Sequence, residues 1–199
     1  MHVQATAVKE GIVTVSKNKI YYSWQDFDRD VVELARQIWI SEWKPDYIVG
    51  IVRGGLPLAA SLSNYMNIPM HALKVSLRDN VYSESNLWMA EDAFGYVPAE
   101  EQEVIKSRWD PKHRKNILIV DDINDSGATF NWIVDDWQQS CLPNESGVWN
   151  VVWGNTTRFA TLWDNPASKS KYSMNYTIHE KDPELEPWIV FPWEQPFVK

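Results

Sequence analysis

Cysteine, long apolar runs and excess positive charge are all scarce in this chain. Among its 199 residues the only cysteine is Cys141, which excludes an internal disulfide and a cysteine metal cluster. No apolar run is long enough to span a membrane, and the first residues lack the apolar stretch of a signal peptide. We therefore expect a cytoplasmic protein without membrane contact, in which Cys141 is a packed thiol.

Positive charge is outnumbered by negative charge. The chain has 19 lysines and arginines against 27 aspartates and glutamates, which gives a formal net charge of −8. Binding to a nucleic-acid backbone needs clustered basic side chains, so we expect no nucleic-acid partner. Apolar residues make up 44% of the chain, which is enough for a buried core. The length is compatible with one domain or with one domain and a small appendage, and we expect a single domain over residues 1–199.

Two common nucleotide-binding motifs are also missing. A P-loop needs Gly-x-x-x-x-Gly-Lys-Ser/Thr, and residues 50–55 have this glycine spacing but are followed by Leu56 and Pro57. The Gly-x-Gly-x-x-Gly fingerprint of dinucleotide-binding folds is absent from the sequence. A phosphate-bearing ligand must therefore be bound by a different arrangement.

Apolar periodicity predicts an α/β fold with a central, mostly parallel sheet flanked by helices. Short apolar runs predict strands at residues 11–15, 20–24, 47–52, 70–77, 117–120 and 148–155, with a possible strand at 174–178. Apolar spacing of three and four residues predicts helices at residues 24–39, 56–65 and 127–139. This alternation favours parallel strands joined by helices, although it does not give the strand order.

Residues 79–110 break this pattern. They are mostly polar and show no sustained period apart from a helix-like fragment at residues 100–108. A long irregular segment inside a compact domain is usually functional or mobile. We therefore expect residues 79–110 to be a functional or mobile segment.

Two loops after predicted strands carry residues suited to chemistry. Asp121 and Asp122 directly follow a buried apolar run, and Asp125 precedes the small turn at residues 126–129 that opens a helix. In an open α/β sheet, ligands bind beyond the carboxyl ends of the strands, and exposed amides at a helix start bind phosphate. The earlier loop at residues 53–55, Arg-Gly-Gly, offers a planar cation and close backbone approach to a second anion. The two loops together are suited to a ligand that carries hydroxyls, a metal and phosphates.

Three motifs together resemble the type I phosphoribosyltransferases. Residues 120–129 (Val-Asp-Asp-Ile-Asn-Asp-Ser-Gly-Ala-Thr) resemble the phosphoribosyl-pyrophosphate signature of that family. Residues 52–55 resemble its pyrophosphate loop, and residues 188–194 resemble the base-recognition tail of its xanthine, guanine and hypoxanthine branch. The resemblance implies the type I phosphoribosyltransferase fold, with a small C-terminal hood for the base at about residues 180–199. It also implies that residues 79–110 are the flexible catalytic loop of that family.

The same resemblance implies a function and its residues. Members transfer a phosphoribosyl group from phosphoribosyl pyrophosphate to a nitrogenous base and release pyrophosphate, here to a purine with Mg²⁺ as cofactor. Asp121 and Asp122 would hold the ribose hydroxyls and the metal, and Asp125 would act as general acid or base near N7 of the purine. Trp188 would stack on the base and the backbone at Ile189 would contact its edge. The implied ligands of phosphoribosyl pyrophosphate are Arg53, Gly54, Gly55, Asp121, Asp122, Asp125, Ser126, Gly127, Ala128 and Thr129.

One position departs from the purine branch and leaves the base undefined. Members of that branch commonly carry a lysine after the strand that matches residues 148–154, where it contacts the 6-oxo group. Here that position is Asn155, whose amide can donate or accept a hydrogen bond. Arg158 and Lys181 are the alternatives for the missing lysine. Two other functions stay open: transfer to another nitrogenous base, and a non-catalytic regulator that binds phosphoribosyl pyrophosphate.

Twelve tryptophans are an excess for a chain of this length. Tryptophan is enriched in cores and in subunit interfaces. Trp137 and Trp163 are interpreted as exposed, and on this ground we expect a homodimer or a homotetramer.

Overall fold

Parallel strands form the central sheet of the protein, whose computed structural model describes residues 15–16, 19–75, 86–141 and 146–194. The five strands of this sheet are β3 (Tyr47–Val52), β4 (Met70–Lys74), β5 (Ile117–Asn124), β6 (Thr157–Asp164) and β7 (Tyr176–Glu180). Their order is β4-β3-β5-β6-β7, and each neighbouring pair is parallel. The predicted fold class, a mostly parallel sheet flanked by helices, is confirmed.

Helices cover both faces of this sheet. The helices are α1 (Trp24–Ile40), α2 (Gly55–Met66), α3 (Leu87–Phe94), α4 (Ala99–Ile105), α5 (Ala128–Ser140) and α6 (Ser146–Trp149). Alternate residues of β5 point to opposite faces: Leu118 and Val120 pack with α1 and α2, and Ile117 and Ile119 pack with α3 and α5. Each face therefore has its own apolar core, as a parallel sheet requires.

The first helix begins where the sequence pattern predicts, because Ser23 caps it. The Ser23 hydroxyl accepts a hydrogen bond from the Asp26 amide at 3.1 Å, and the Asp26 carboxylate accepts one from the Ser23 amide at 3.2 Å. This reciprocal pair satisfies two amides of the first turn. Trp39, assigned to the buried face by its spacing, is instead 79% exposed.

A second, small sheet forms the hood. It has the order β1-β2-β8, with β1 (Val15–Ser16), β2 (Lys19–Tyr21) and β8 (Trp188–Val190). β2 and β8 are parallel, and Ile189 and Phe191 are buried against the α1 and α2 face. The hood is therefore built from both ends of the described chain. β2 ends at Tyr21, before the predicted end at residue 24, and residues 11–14 and 195–199 lie outside the described residues.

The predicted strand at residues 148–155 is wrong. Residues 146–149 are the short helix α6, turns follow, and the strand begins at Thr157. The apolar residues that suggested a strand are instead aromatic core residues: Trp149 and Trp153 are buried and stack with ring centroids 5.5 Å apart. A short apolar run does not distinguish a buried strand from a buried turn of helix.

The expectation of irregular structure at residues 79–110 is wrong for residues 87–94, which form α3, whereas the helix-like fragment expected at residues 100–108 corresponds to α4. α3 and α4 occupy much of this range, and Met89, Ala90, Ala93 and Phe94 of α3 are at most 1% exposed. These residues pack into the core on the α5 face of the sheet. A flexible loop stays a prediction only for the earlier part of the range, where residues 79–85 lie outside the described residues.

The solvent exposure expected for two tryptophans is also wrong. Trp137 is 0% exposed and Trp163 is 8% exposed, so neither offers a surface to a second subunit. Cys141 is a packed thiol as expected, and burial raises its pKa to about 12. In the described ranges no helix is long and apolar enough to cross a membrane.

Candidate active site

A cleft of about 1280 Å³ lies at the carboxyl ends of the central strands, beneath the hood. It is lined by the loop after β3, by the end of β5 with the turn that follows, and by the hood. The three motifs found in the sequence therefore meet in one cavity. Parallel topology explains this, because the carboxyl ends of neighbouring strands lie at the same edge of a sheet.

Asp121 and Asp122 lie on β5 itself, since this strand continues to Asn124 rather than ending at Val120. Both carboxylates line the cleft. Asp122 is 7% exposed, and its Oδ2 accepts a hydrogen bond from the Trp193 indole at 3.3 Å. Its neighbour on the other side is the backbone of Gly54, where an added Cβ would lie 2.2 Å from Asp122 Oδ2. The carboxylate of Asp122 is thus held between the hood and the loop after β3.

Burial raises the pKa of both of these carboxyl groups. The pKa of Asp121 lies well above its usual range because of burial and the negative charge of Asp122. The pKa of Asp122 rises to about 6 through burial, against the Trp193 hydrogen bond, and Glu194 adds further repulsion. Two adjacent carboxylates in this state gain from a cation beside them.

This donor set is compatible with Mg²⁺. Mg²⁺ prefers oxygen ligands, and it is usually held by one or two carboxylates together with substrate phosphates rather than by an all-protein cage. In the part of the chain that the structure describes, no cluster of three or more histidine, cysteine or acidic side chains forms a dedicated metal site. Asp121 and Asp122 are the carboxylates that would hold the ion.

Asp125 lies just beyond β5, and residues at the ends of two other strands contact its carboxylate. Its Oδ1 accepts a hydrogen bond from Lys181 Nζ at 2.7 Å, and one from Asn165 Nδ2 at 3.3 Å. The Lys181 side chain is 9% exposed whereas that of Asp125 is 52% exposed. Lys181 follows β7 and Asn165 follows β6, so the carboxylate of Asp125 is oriented by both. This geometry suits a group that exchanges a proton with a bound ligand.

The turn after Asp125 opens α5 toward the cleft. Ser126, Gly127, Ala128 and Thr129 all line the cavity, and Gly127 has a φ of +81°. This left-handed conformation favours glycine, and it places the turn directly before the first residue of the helix. Amides at a helix N-terminus, together with the helix dipole, form an anion-binding arrangement.

The loop after β3 supplies a second anion-binding element. Arg53 and Gly54 line the cleft, and the Val52–Arg53 peptide bond is cis. Gly55 is not among the residues that line the cleft, and its role as a ligand residue stays a prediction. It is the first residue of α2, and an added Cβ there would lie 2.4 Å from the Val120 carbonyl oxygen. Gly55 therefore allows α2 to pack closely against β5.

The hood places the exposed indole of Trp188 at the cleft. Trp188 lines the cavity and is 56% exposed, whereas Ile189 also lines it but is 5% exposed. An exposed indole at a cavity wall offers a stacking surface for a flat ring. Trp193, which the sequence motif contains but to which no role was assigned, donates the hydrogen bond to Asp122 described above.

Asn155 is not part of the site, because the strand it was thought to follow does not exist. It is exposed and precedes β6, at the opposite edge of the sheet, where its carbonyl accepts a hydrogen bond from Arg158. Arg158 is held at that edge by Trp43 and Tyr176. The residue that does follow the strand is Asn165, and the basic residue beside it is Lys181. The apolar pattern of residues 159–163 is the signal that could have placed this strand correctly.

Comparisons with known proteins agree with this arrangement. Residues 17–197 match the phosphoribosyl transferase domain family. The hypoxanthine-guanine phosphoribosyltransferase of Schizosaccharomyces pombe is 25% identical, over 88% of this chain and 89% of that protein. Xanthine phosphoribosyltransferase 1 of Saccharomyces cerevisiae is 22% identical, over 88% of this chain and 90% of that protein.

The fold is shared with a solved structure as well. The purine phosphoribosyltransferase from Pyrococcus horikoshii superimposes with a TM-score of 0.58 at 24% identity, over 92% of this chain and 98% of that one. The family match spans nearly the whole chain and includes all three segments that line the cleft. The chain therefore belongs to the phosphoribosyl transferase domain family.

Proposed function

We propose that this enzyme transfers a phosphoribosyl group from phosphoribosyl pyrophosphate to a 6-oxopurine, in a Mg²⁺-dependent reaction of purine salvage. The observation that carries the proposal is the meeting of Arg53, Asp125, Lys181 and Trp188 in one cleft. The two curated relatives are both named as purine phosphoribosyltransferases, which supports a purine as acceptor. The site holds an anion-binding loop for the pyrophosphate, a phosphate-binding turn for the 5′-phosphate and a stacking surface for the purine ring.

The donor occupies the carboxylate side of the cleft in this proposal. Its 5′-phosphate is bound by the amides and hydroxyls of residues 126–129, and its pyrophosphate by Arg53 and Gly54. Asp121 and Asp122 bind the ribose hydroxyls and would hold Mg²⁺, which when bound would supply positive charge against the pyrophosphate leaving group. The same carboxylates stabilise the positive charge that develops on the ribose when the C1′–oxygen bond breaks.

Asp125 is the general base that accepts the proton of the purine. As the purine nitrogen forms its bond to C1′ and the bond from C1′ to pyrophosphate breaks, the ring gives up a proton. Asp125, placed next to N7, takes up this proton as a general base. Lys181 keeps the carboxylate oriented. With N7 at Asp125, the adjacent 6-substituent of the purine is directed toward the Lys181 ammonium.

Lys181 selects the 6-oxo group over a 6-amino group. An ammonium has only donors, so it stabilises an oxo acceptor and gains nothing from an amino group. We expect the Lys181→Met variant to lower kcat/KM for hypoxanthine and guanine by about 10- to 100-fold and to lower that for adenine far less. The control is Lys171→Met, because Lys171 is an exposed lysine that pairs with Asp135 on α5. An equal loss for all three bases would contradict this role.

Gly54 keeps the loop close to Asp122, which leads to a second prediction. Gly54 has a helical φ of −60°, so the backbone accepts alanine, but the new Cβ would lie 2.2 Å from Asp122 Oδ2 and displace the carboxylate. We expect Gly54→Ala to fold normally and to lose about 10- to 100-fold in kcat, since small misplacements of catalytic groups have effects of this size. Gly147→Ala, at a position with nothing within 4 Å of the new Cβ, is the control.

The proposal is tested by pyrophosphate release from the donor with Mg²⁺ and each of hypoxanthine, guanine, xanthine, adenine and uracil. Release with the three 6-oxopurines and little with adenine or uracil is expected. Release only with uracil would make the enzyme a phosphoribosyltransferase for another base. Binding of the donor without release for any base would make it a regulator. A cytoplasmic location and assembly into a homodimer or homotetramer stay predictions.

A further inference from the structure

The connection between β6 and β7, residues 165–175, folds back over the phosphate-binding turn. The Asn165 amide donates to the Asn124 carbonyl at 2.9 Å, and the Ser168 hydroxyl donates to Asn124 Oδ1 at 3.1 Å. The Lys169 amide then donates to the Ser126 carbonyl at 3.2 Å. The connection is therefore hydrogen-bonded to the end of β5 and to the first residue of the turn.

Asn131, in the first turn of α5, fastens the far side of this connection. Its Nδ2 donates to the Lys169 carbonyl at 2.8 Å, and its Oδ1 accepts from the Lys171 amide at 2.7 Å. A side-chain amide has both a donor and an acceptor, so it can bind the peptide groups on both sides of Ser170. The backbone amide of Asn131 also donates to the Gly127 carbonyl at 2.9 Å, which joins the same residue to the turn.

Gly127 lies in direct contact with the fastened backbone. An added Cβ at Gly127 would lie 2.4 Å from the Ser170 nitrogen and 2.8 Å from the Lys169 carbonyl carbon. The connection thus occupies the space where a side chain of the turn would be. A displacement of residues 168–170 would remove the wall against which the turn is packed.

We propose that Asn131 is a positioning residue that holds the β6–β7 connection against the turn and so sets the affinity for the 5′-phosphate. The inference rests on the proposed function, in which residues 126–129 bind this phosphate. A preorganised set of amides binds an anion without first losing conformational freedom. Asn131 itself does not line the cleft, so its effect reaches the ligand through the turn.

The experiment compares ligands with and without the phosphate. Binding of guanosine 5′-monophosphate and of guanosine is measured by calorimetry for the wild type, Asn131→Ala, Asn131→Asp and Asp135→Ala. Asp135 lies one helical turn later and pairs with Lys171 of the same connection, but its side chain and that of Lys171 are each 47% exposed. Asp135→Ala is therefore a control for loss of an exposed contact to the connection. Thermal unfolding of each variant verifies the fold.

Asn131→Ala is expected to weaken the binding of guanosine 5′-monophosphate by on the order of tenfold, because its two side-chain hydrogen bonds are lost. The affinity for guanosine is expected to stay unchanged. The KM for phosphoribosyl pyrophosphate rises in parallel and the KM for guanine does not. Asn131→Asp keeps the acceptor for the Lys171 amide but sets a carboxylate oxygen against the Lys169 carbonyl, so its loss is at least as large as that of Asn131→Ala, and Asp135→Ala matches the wild type.

Two results would overturn the inference while leaving the proposed function intact. One is an equal loss for the nucleotide and the nucleoside, and the other is an Asn131→Ala affinity that matches that of Asp135→Ala. A wild type that binds neither the nucleotide nor phosphoribosyl pyrophosphate would instead overturn the proposed function, and this inference with it.

Discussion

We expect the Asp125→Asn variant to turn over about 10²–10⁴ times more slowly than the wild type, with little change in its affinity for phosphoribosyl pyrophosphate. Asparagine has the same shape as aspartate and can still accept hydrogen bonds from Lys181 and Asn165, which hold Asp125 Oδ1 at 2.7 and 3.3 Å. It cannot take up a proton from the acceptor. The variant therefore separates proton transfer from the geometry of the turn.

Pre-steady-state and steady-state rates with guanine measure this effect, and equilibrium binding measures the affinity for the donor. Asp135→Asn is a matched control, because it makes the same chemical change at an exposed residue of α5. If Asp125→Asn keeps its turnover, another group is the general base. If both turnover and donor affinity collapse, Asp125 serves mainly to hold the turn in place.

The second large effect concerns stability, at the buried carboxylate of Asp30 on α1. Its Oδ2 accepts a hydrogen bond from the Tyr22 hydroxyl at 2.7 Å and contacts His179 Nε2 at 2.5 Å, and its Oδ1 accepts one from Arg29 at 3.0 Å. The Asp30 side chain is 3% exposed, whereas those of His179 and Arg29 are 30% and 57% exposed. The cluster joins α1, and Tyr22 two residues before it, to β7, the strand that Lys181 directly follows.

We expect Asp30→Ala to lower the free energy of unfolding by roughly 2–4 kcal/mol. The buried Tyr22 hydroxyl loses its acceptor, and His179 and Arg29 lose their anionic partner, although their exposure lets water replace part of it. Urea unfolding followed by tryptophan fluorescence measures the change. Asp28→Ala, an exposed carboxylate on the same helix, is expected to stay within about 0.5 kcal/mol of the wild type. A similar loss in both variants would contradict a special role for Asp30.

The same cluster predicts how this stabilisation depends on pH. Burial alone would raise the pKa of Asp30, but hydrogen bonds from His179 and Tyr22 outweigh it and hold the pKa below its usual value. The ionised carboxylate therefore stabilises the fold above its unfolded pKa of about 3.9, and this contribution is lost as the pH falls through the lower folded pKa. We expect the difference between wild type and Asp30→Asn to be constant from pH 5 to 6 and to shrink below about pH 4.

The sequence predicted the parts of the fold where local pattern and tertiary role agree. β3 is an apolar run that is buried on both faces, and α1 has an apolar stripe at three- and four-residue spacing, so both were located correctly. The pattern failed at residues 148–155 because Trp149 and Trp153 are buried in a helix and a turn, where aromatic packing rather than strand pairing buries them. It failed again at α3, whose eight residues are too few for a clear helical period.

The candidate site was predictable wherever one loop carries a whole function. The segment from Asp121 to Thr129 is continuous in sequence, and so its members stay together in the cleft. The contacts to Asp125 were not predictable in the same way, because Asn165 and Lys181 come from the ends of two other strands. Their approach depends on the strand order, which local periodicity does not contain, and an error of nine residues in the position of one strand moved the assignment to Asn155.

The most direct test of the proposed function follows the ribose itself. Phosphoribosyl pyrophosphate labelled in the ribose is incubated with the enzyme, Mg²⁺ and guanine, and labelled nucleotide and free pyrophosphate are both quantified. Transfer predicts equal molar amounts of guanosine 5′-monophosphate and pyrophosphate, both of them abolished when guanine is left out. Pyrophosphate without labelled nucleotide, or tight donor binding without either product for any base, would contradict the account.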